Sequence, residues 1–577
     1  MKLSSTLVLW LLLFATVANS ADFKVCENIT LKDGSIDLNK NEKVLVCDLD
    51  KGSEGWRDIP LLQSQLYLRA ILHNSGYFNA KFEENAGQLS IWRGPITKIT
   101  ALDNVGDKHV LDTTKIRHII GQPLTPDKLN DVEAWANTEV RSRGYACPEL
   151  NVEAYAWNGN VLIKTKVSGK KKFGELNADG MEGLNPKVLE RYRPFEIGDD
   201  YDIRKTKIMT DRLMSDGLFQ SAFFETQCDK DAAILNLKTS VGKSKIFRFG
   251  IGASTEEIPF SNISFRNARL DNEASLFTSS FHASPRLISL AAESELYWFP
   301  VWNKMYFGPR IKIAREIEKS YQTDSSKIGT DIGYRWDFGN SRFSTTVGPS
   351  LSKVKTTRGL GPDTSYPTLD ASVVAMDHRY ESQVWQQYDG WVASILFRGQ
   401  RKGIDSQIDM NRYELNYKYL WNIGAYSPPL FVLGVRIQGI IVDTIEPNSE
   451  SSTSLIPIED RIFVGGNDNL RGFPRKSINN GGKGYLSFVT LGLELRLIEE
   501  LPYHIQPFLL WDIAQLGKKR YTLDPAIFIS EGFGMRWQSP IGTLRGSFAR
   551  GRINNQDNIT ETYPEQWVLF LSLGQEF

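Results

Sequence analysis

The amino-acid sequence predicts a chain in two parts, α+β repeats followed by a transmembrane antiparallel β-barrel of about 16 strands. Three observations carry this expectation. Up to about residue 245, amphipathic helical segments alternate with short strands, and three passages look alike. From Ile246 to Phe577, segments of roughly ten residues alternate apolar with polar or small side chains between polar turns, as strands with one face on lipid do. The mean hydropathy is only −0.31, and no uncharged run beyond the first residues approaches the roughly 20 apolar residues of a spanning helix. A barrel is compatible with that value because only alternate residues of each strand meet lipid.

Size and charge narrow the classes further. At 577 residues the chain exceeds the roughly 250 to 300 at which single cores stop growing. Its 68 Lys and Arg balance 68 Asp and Glu, which removes the basic footprint of a nucleic-acid binder.

The first element is an export segment. Lys2 precedes the apolar stretch Leu7 to Val17, and Ala18, Asn19 and Ser20 place small residues where a signal peptidase reads. Residues 1–20 are therefore expected to be a signal peptide, with the mature chain starting near Ala21. A buried helix is the competing reading, but polar sequence follows at once. In an exported chain the four cysteines imply disulfides, for which three connectivities exist. Cys26 and Cys47 bracket a short polar segment and are the expected local pair, which leaves Cys147 with Cys228.

The three similar passages are Leu66 to Phe82, Val132 to Val152 and Ile208 to Phe224. Each reads as an amphipathic helix stopped by a glycine (Gly76, Gly144, Gly217) and followed by an alternating strand. Further short strands are expected at Gln88 to Trp92, Val161 to Val167 and Ala233 to Thr239. The unit is thus strand, helices, hairpin, repeated about every 70 residues, longer than a solenoid period.

In the second part, expected strands include Ile246 to Ser254, Lys327 to Phe338, Gln407 to Trp421, Phe431 to Val442, Tyr485 to Leu497 and Trp567 to Phe577. In the last, Trp567, Leu569, Leu571, Leu573 and Phe577 share one face. Soluble sandwiches and propellers also alternate. The aromatic strand ends, Tyr297-Trp298-Phe299 and Tyr419-Leu420-Trp421, favour the interfacial girdles of a membrane barrel. At about 20 residues per strand and connection, the segment holds on the order of 16 strands.

Arg461 to Phe473 reads RIFVGGNDNLRGF. It resembles the F-x-G-G-x-x-x-[VIL]-R-G-[FY] motif of the inward-folded sixth loop in the superfamily of POTRA-plus-barrel outer-membrane proteins, which includes BamA, TamA and the two-partner secretion transporters. Phe463, Gly465, Gly466, Leu470, Arg471, Gly472 and Phe473 match. Gly492-x-Glu494-x-Arg496, Leu510 to Ala514 and Gly532 to Arg545 resemble the family's last strands, with Leu510, Ala514 and Thr543 departing from the pattern. An Arg inside a lumen must be paired, because a guanidinium keeps its charge. Glu494 and Asp512, on strands whose parity turns them inward, are the expected wall partners.

The resemblance implies POTRA domains at residues 21–97, 98–168 and 169–245 and an outer-membrane β-barrel at 246–577. It implies a bacterial outer-membrane location with the POTRA domains in the periplasm. Three repeats favour a TamA-like assembly factor that helps insert or secrete β-barrel proteins such as autotransporters. A TamB-like periplasmic protein would be its partner, unfolded outer-membrane or autotransporter chains its clients, and the outer-membrane lipid bilayer its medium. A two-partner secretion transporter and a passive porin are the alternatives.

A client strand cannot enter lipid with its backbone unpaired. The expected working part is therefore a lateral seam between the first and last strands, with Gly250, Gly252, Gly574 and Phe577 at it. No catalytic motif, cofactor or metal is expected, since CxxC, HExxH and G-x-S-x-G are all missing. Gly481-Gly482-Lys483-Gly484 reads as a turn, and Asp199-Asp200 and Glu256-Glu257 read as solvated charge in turns.

Overall fold

The computed structural model describes residues 22–47, 60–107, 109–181, 183–298, 302–382, 387–444, 455–498, 501, 504–539, 542–555 and 565–573. The expected signal peptide, Gly574 and Phe577 lie outside them. The chain divides into two compact units, one of residues 1–140 and 148–168, the other of residues 141–147 and 169–577.

The first unit holds two repeats. In the first, β1 (Phe23–Cys26), β2 (Ile29–Leu31), β3 (Lys81–Asn85) and β4 (Gln88–Trp92) form a sheet in the order β1-β2-β4-β3. It packs on α1 (Lys40–Cys47) and α2 (Leu61–Asn74). The α2 helix buries Ser64, Leu68 and Leu72, a four-residue spacing that makes one stripe. This repeat opens on a hairpin where one strand was expected, because Asn28 and the chain after it fold straight back on Phe23–Cys26. The second repeat has β5 (Ala101–Gly106), α3 (Pro126–Ser142), β6 (Glu149–Tyr155) and β7 (Asn160–Lys166), in the order β5-β7-β6. There Val132, Ala136 and Val140 form the buried stripe.

The second unit opens on a third such repeat, β8 (Lys172–Asp179), α4 (Val188–Tyr192), α5 (Ile203–Ser215), β9 (Ser221–Cys228) and β10 (Ala232–Ser240). Its sheet order, β8-β10-β9, has β8 parallel to β10. Asp202 caps α5 by accepting the Arg204 N–H at 2.9 Å. All three landmark glycines end their helices with φ of +87°, +101° and +76°, the left-handed region that glycine enters without strain. These strand and helix elements resemble POTRA domains.

The barrel that follows has sixteen antiparallel strands in sequential order. They are β11 (Lys245–Gly252), β12 (Phe260–Asn267), β13 (Leu276–Ala283), β14 (Leu287–Glu295), β15 (Met305–Ile317), β16 (Gln322–Phe338), β17 (Ser341–Arg358) and β18 (Thr364–Asp377). A short helix, α6 (His378–Glu381), leads into β19 (Gly390–Gln400), β20 (Met410–Ile423), β21 (Phe431–Thr444) and β22 (Ser487–Leu497). The last four are β23 (Ile505–Gly517), β24 (Ile527–Ser539), β25 (Gly542–Asn554) and β26 (Trp567–Leu573).

Alternation sorts each wall strand. Leu569 and Leu571 are each 50% exposed on the outer face, whereas Phe570 and Ser572 between and beside them are buried. Phe247, Phe249, Ile311, Ile313, Leu351 and Phe533 are likewise exposed on the outside, which suits a lipid face. Tyr297 departs from the expected girdle. It is buried beneath the Arg191 guanidinium, 3.2 Å from its ring centroid, because the third repeat covers that strand end.

Candidate functional site

The sequence predicts that Arg471 is paired inside the barrel, and the fold explains how. The chain between β21 and β22 turns inward, and Arg471 within it has no exposed surface. Its Nε and Nη2 donate to the two oxygens of Asp512 at 2.9 and 2.6 Å, and its Nη1 donates to Glu494 Oε2 at 2.5 Å. The fork geometry matches a guanidinium and would not be reproduced by Lys. Glu494 also accepts from Arg496 and Arg545, each at 2.7 Å, and Arg436 stands 3.7 Å from Asp512. Four guanidiniums thus surround two carboxylates. The family-like last strands include Arg496 and Arg545: Arg496 lies two residues from Glu494 on β22, whereas Arg545 reaches it from β25, which is not a ladder neighbour of β22.

Glycine spacing in the motif has a steric cause. A Cβ on Gly472 would stand 2.5 Å from the Gly551 backbone nitrogen, and one on Gly551 would stand 2.5 Å from the Gly472 oxygen. The loop therefore lies backbone on backbone against β25, and only a pair of glycines permits it. Gly465 donates to Asn469 Oδ1 at 2.9 Å, and Gly466 donates to the Phe473 carbonyl at 2.9 Å, closing the tip into a compact turn. Leu470 is fully buried. Phe473 packs edge-on against Phe528 at 5.7 Å, and Phe463 packs against Tyr321 at 5.0 Å.

Other anchors have no counterpart in the motif. Asp460, at the base of the loop, accepts from Arg398 at 2.7 Å and Gln400 at 3.1 Å, and Tyr366 donates to Glu459 at 2.9 Å. These residues come from β18 and β19, far round the wall from Asp512. Arg475 meets Glu318 in the β15–β16 turn at 2.8 Å, and Lys476 meets Glu316 at the end of β15 and Tyr321 in that turn. Glu256, read from sequence as solvated, is only 11% exposed and accepts the Asn467 N–H at 3.1 Å. The reason is that the β11–β12 turn folds over the loop tip. A polar cavity of about 390 Å³, bordered by Asn467, Asp468, Lys418 and Arg436, lies beside that tip.

The seam residues fall as follows. Between the first and last strands the described residues form no ladder; they share one antiparallel bridge, Ser254 to Ser572, and a bond from the Thr255 N–H to the Leu571 carbonyl at 3.0 Å. Gly250 is exposed, and Gly252 makes room for the Phe260 ring, 2.2 Å from where its Cβ would be. The cysteines pair as Cys26–Cys47 and Cys147–Cys228, with Cα separations of 5.4 and 6.4 Å.

Below the barrel, Arg212 of α5 is 5% exposed and grips two carboxylates. It meets Glu381 at 2.7 Å and Asp337 at 2.8 Å. Burial alone would raise the Glu381 carboxyl, but hydrogen bonds and charge from Arg212, then Arg342, outweigh it and hold the group below its usual range.

Comparison with known proteins adds the following. The Omp85 superfamily domain matches residues 241–577. Among solved structures, BamA from Haemophilus ducreyi lacking POTRA domains 1-3 is similar at 14% identity and a TM-score of 0.48, covering 82% of this chain and 99% of that one. CdiB from Acinetobacter baumannii is similar at 13% identity and 0.46, covering 83% and 89%; CdiB from Escherichia coli at 12% and 0.47, covering 89% and 96%.

Proposed function

The chain belongs to the Omp85 superfamily, outer-membrane barrels that assemble or translocate proteins, and from that premise we propose that it is a TamA-like assembly factor working by strand templating at its lateral seam. Its clients are unfolded outer-membrane β-barrel proteins such as autotransporters. Its three POTRA-like repeats lie in the periplasm and receive a TamB-like partner. The observation that carries this reading is the sparse pairing of the first and last strands: among the described residues β11 and β26 share no ladder, and one bridge just past β11, Ser254 to Ser572, joins the two edges, where every other neighbouring pair of barrel strands is laddered.

The physics of the reading is backbone hydrogen bonding. An unpaired N–H or C=O in hydrocarbon costs several kcal/mol, so a client strand needs a donor row beside it as it enters. β11 and β26 offer such rows at little cost, because few bonds between their described residues must be broken. The inward loop, tied to the wall through Asp460, Arg471, Arg475 and Lys476 among others, keeps the lumen filled while the seam works. Conduction of a polypeptide through the lumen would instead require these ties to open.

A reversible lock tests this. Ser254 and Ser572 are opposite partners of an antiparallel bridge, a separation within disulfide reach, so Ser254→Cys with Ser572→Cys closes the seam when oxidised. Folding should be unaffected, and insertion of a radiolabelled autotransporter barrel into vesicles carrying the protein should stop with the lock oxidised and resume on reduction. Equal insertion in both states, with the crosslink confirmed, overturns the seam reading.

A further inference from the structure

The β11–β12 turn joins two structures that the motif and the seam treat separately. We propose that Glu256 is a positioning residue through which the inward loop sets how tightly the first and last strands pair. This deepens the seam reading above and rests on it.

Adjacent residues of one four-residue turn face two ways. Ser254 N–H donates to the Glu257 carbonyl at 3.0 Å, and the Glu257 N–H donates back at 3.1 Å, so the turn is closed and moves as a unit. Thr255 points to the seam. Its N–H donates to the Leu571 carbonyl at 3.0 Å, and its hydroxyl accepts the Leu571 N–H at 3.3 Å. Glu256 points to the loop tip, where its Oε1 accepts the Asn467 N–H at 3.1 Å and its Oε2 lies 3.8 Å from Arg475.

The contact is fitted as well as charged. A Cβ on Gly466 would sit 2.4 Å from Glu256 Oε1, so the second motif glycine leaves the space that the carboxylate occupies. Burial raises the Glu256 carboxyl above its usual range, and the Asn467 N–H and the Arg475 charge offset only part of that. Arg475 also approaches Glu257 at 3.9 Å and is itself held by Glu318 at 2.8 Å. Glu257 in turn contacts His282 at 3.2 Å.

The consequence is mechanical. With the tip docked, Glu256 holds the turn where Thr255 can bond Leu571. When the tip withdraws, the turn loses its fixed acceptor contact, and the two seam bonds, on an edge with no ladder behind them among the described residues, are free to open. Loop position and seam pairing are then one equilibrium with two readouts, and by linkage a client that opens the seam weakens tip docking equally.

Amide hydrogen exchange on the full chain in lipid nanodiscs, without client, tests it. Glu256→Ala should raise exchange at 246–255 and 567–573 by about tenfold or more, the effect of losing a hydrogen bond to a charged acceptor. Exchange in β22 and β23 should stay as in the wild type. Glu256→Asp keeps the charge but shortens the reach, and should behave like Ala. Glu256→Gln keeps an acceptor oxygen at full reach and should restore most of the protection, which a residue that merely fills space or adds charge would not show in this pattern.

Unchanged seam exchange in Glu256→Ala overturns the proposal, as does exchange that rises equally in β22 and β23, since that is general loosening. Should Glu256→Ala fail to fold, the Asp and Gln variants decide, and equal seam exchange in the two overturns it. The measurement reads the seam without a client, so its failure leaves strand templating to be decided by the disulfide lock.

Discussion

Arg471 shows how a buried charge can be made tolerable by geometry. Its guanidinium and the carboxylates of Glu494 and Asp512 have no exposed surface at all, and each would be costly without its partners. Arg471→Ala should therefore lower the unfolding free energy of the barrel by about 3 to 5 kcal/mol, because it strands two buried carboxylates. The denaturant midpoint read by tryptophan fluorescence checks this. Arg471→Lys keeps the charge but loses the fork to Asp512, and should recover less than half of that loss. The residue was legible because its motif is local. Its three-arginine competition for Glu494 was not, since Arg545 reaches that carboxylate from β25, 51 residues on.

At the scale of elements, α5 and α6 meet through Arg212 and Glu381. Glu381 is held below its usual carboxyl range, so its contribution to stability is present above the unfolded value near 4.5 and is lost as pH falls through the depressed folded value. Thermal unfolding followed from pH 7 to about pH 3 should thus show a falling midpoint in the wild type, and a flatter profile in Glu381→Gln. An identical slope in both would remove the clamp from the account. Helices and strands were readable here from periodicity: Gln88–Trp92 was expected with the bounds it has, and α5 and α3 on the stripes they bury. The N-terminal hairpin of β1 and β2 was not, because strands of four and three residues are too short to show a period.

For the whole molecule, the division into units makes the third repeat part of the barrel's body. Ala268 and Ala274, in the β12–β13 turn, belong to the same apolar cluster as Leu213, Leu218 and Phe219 of that repeat. Arg191 donates to the carbonyls of Asn303 and Glu273 at 2.8 and 3.1 Å. A chain starting at Arg141 should consequently fold to a barrel with the heat-modifiable mobility of the full protein. One starting at Lys245 should unfold at lower temperature, since it uncovers that cluster and leaves Glu381 and Asp337 without Arg212. Equal melting of the two would show that the repeat lends the barrel nothing.

What the sequence by itself determined is whatever a short window encodes. Period-two alternation marked six of the wall strands and their lipid face, segment length gave a total of about 16, glycines spaced about 70 residues apart marked the repeats, and a thirteen-residue motif marked the inward loop and its arginine. Only the tertiary structure decided which charges meet across long separations: Arg212 with Glu381, 169 residues on; Arg398 with Asp460, 62 on; Asn467 with Glu256, 211 back. Glu256 and Glu257 look alike in sequence as a pair of turn carboxylates, and solvated charge is the ordinary fate of such a pair. Both are instead largely buried, at 11 and 14% exposure, because closure of the barrel brings the first turn over a loop folded in from beyond β21. Burial of a polar group depends on which distant backbone arrives beside it, and no local pattern records that arrival.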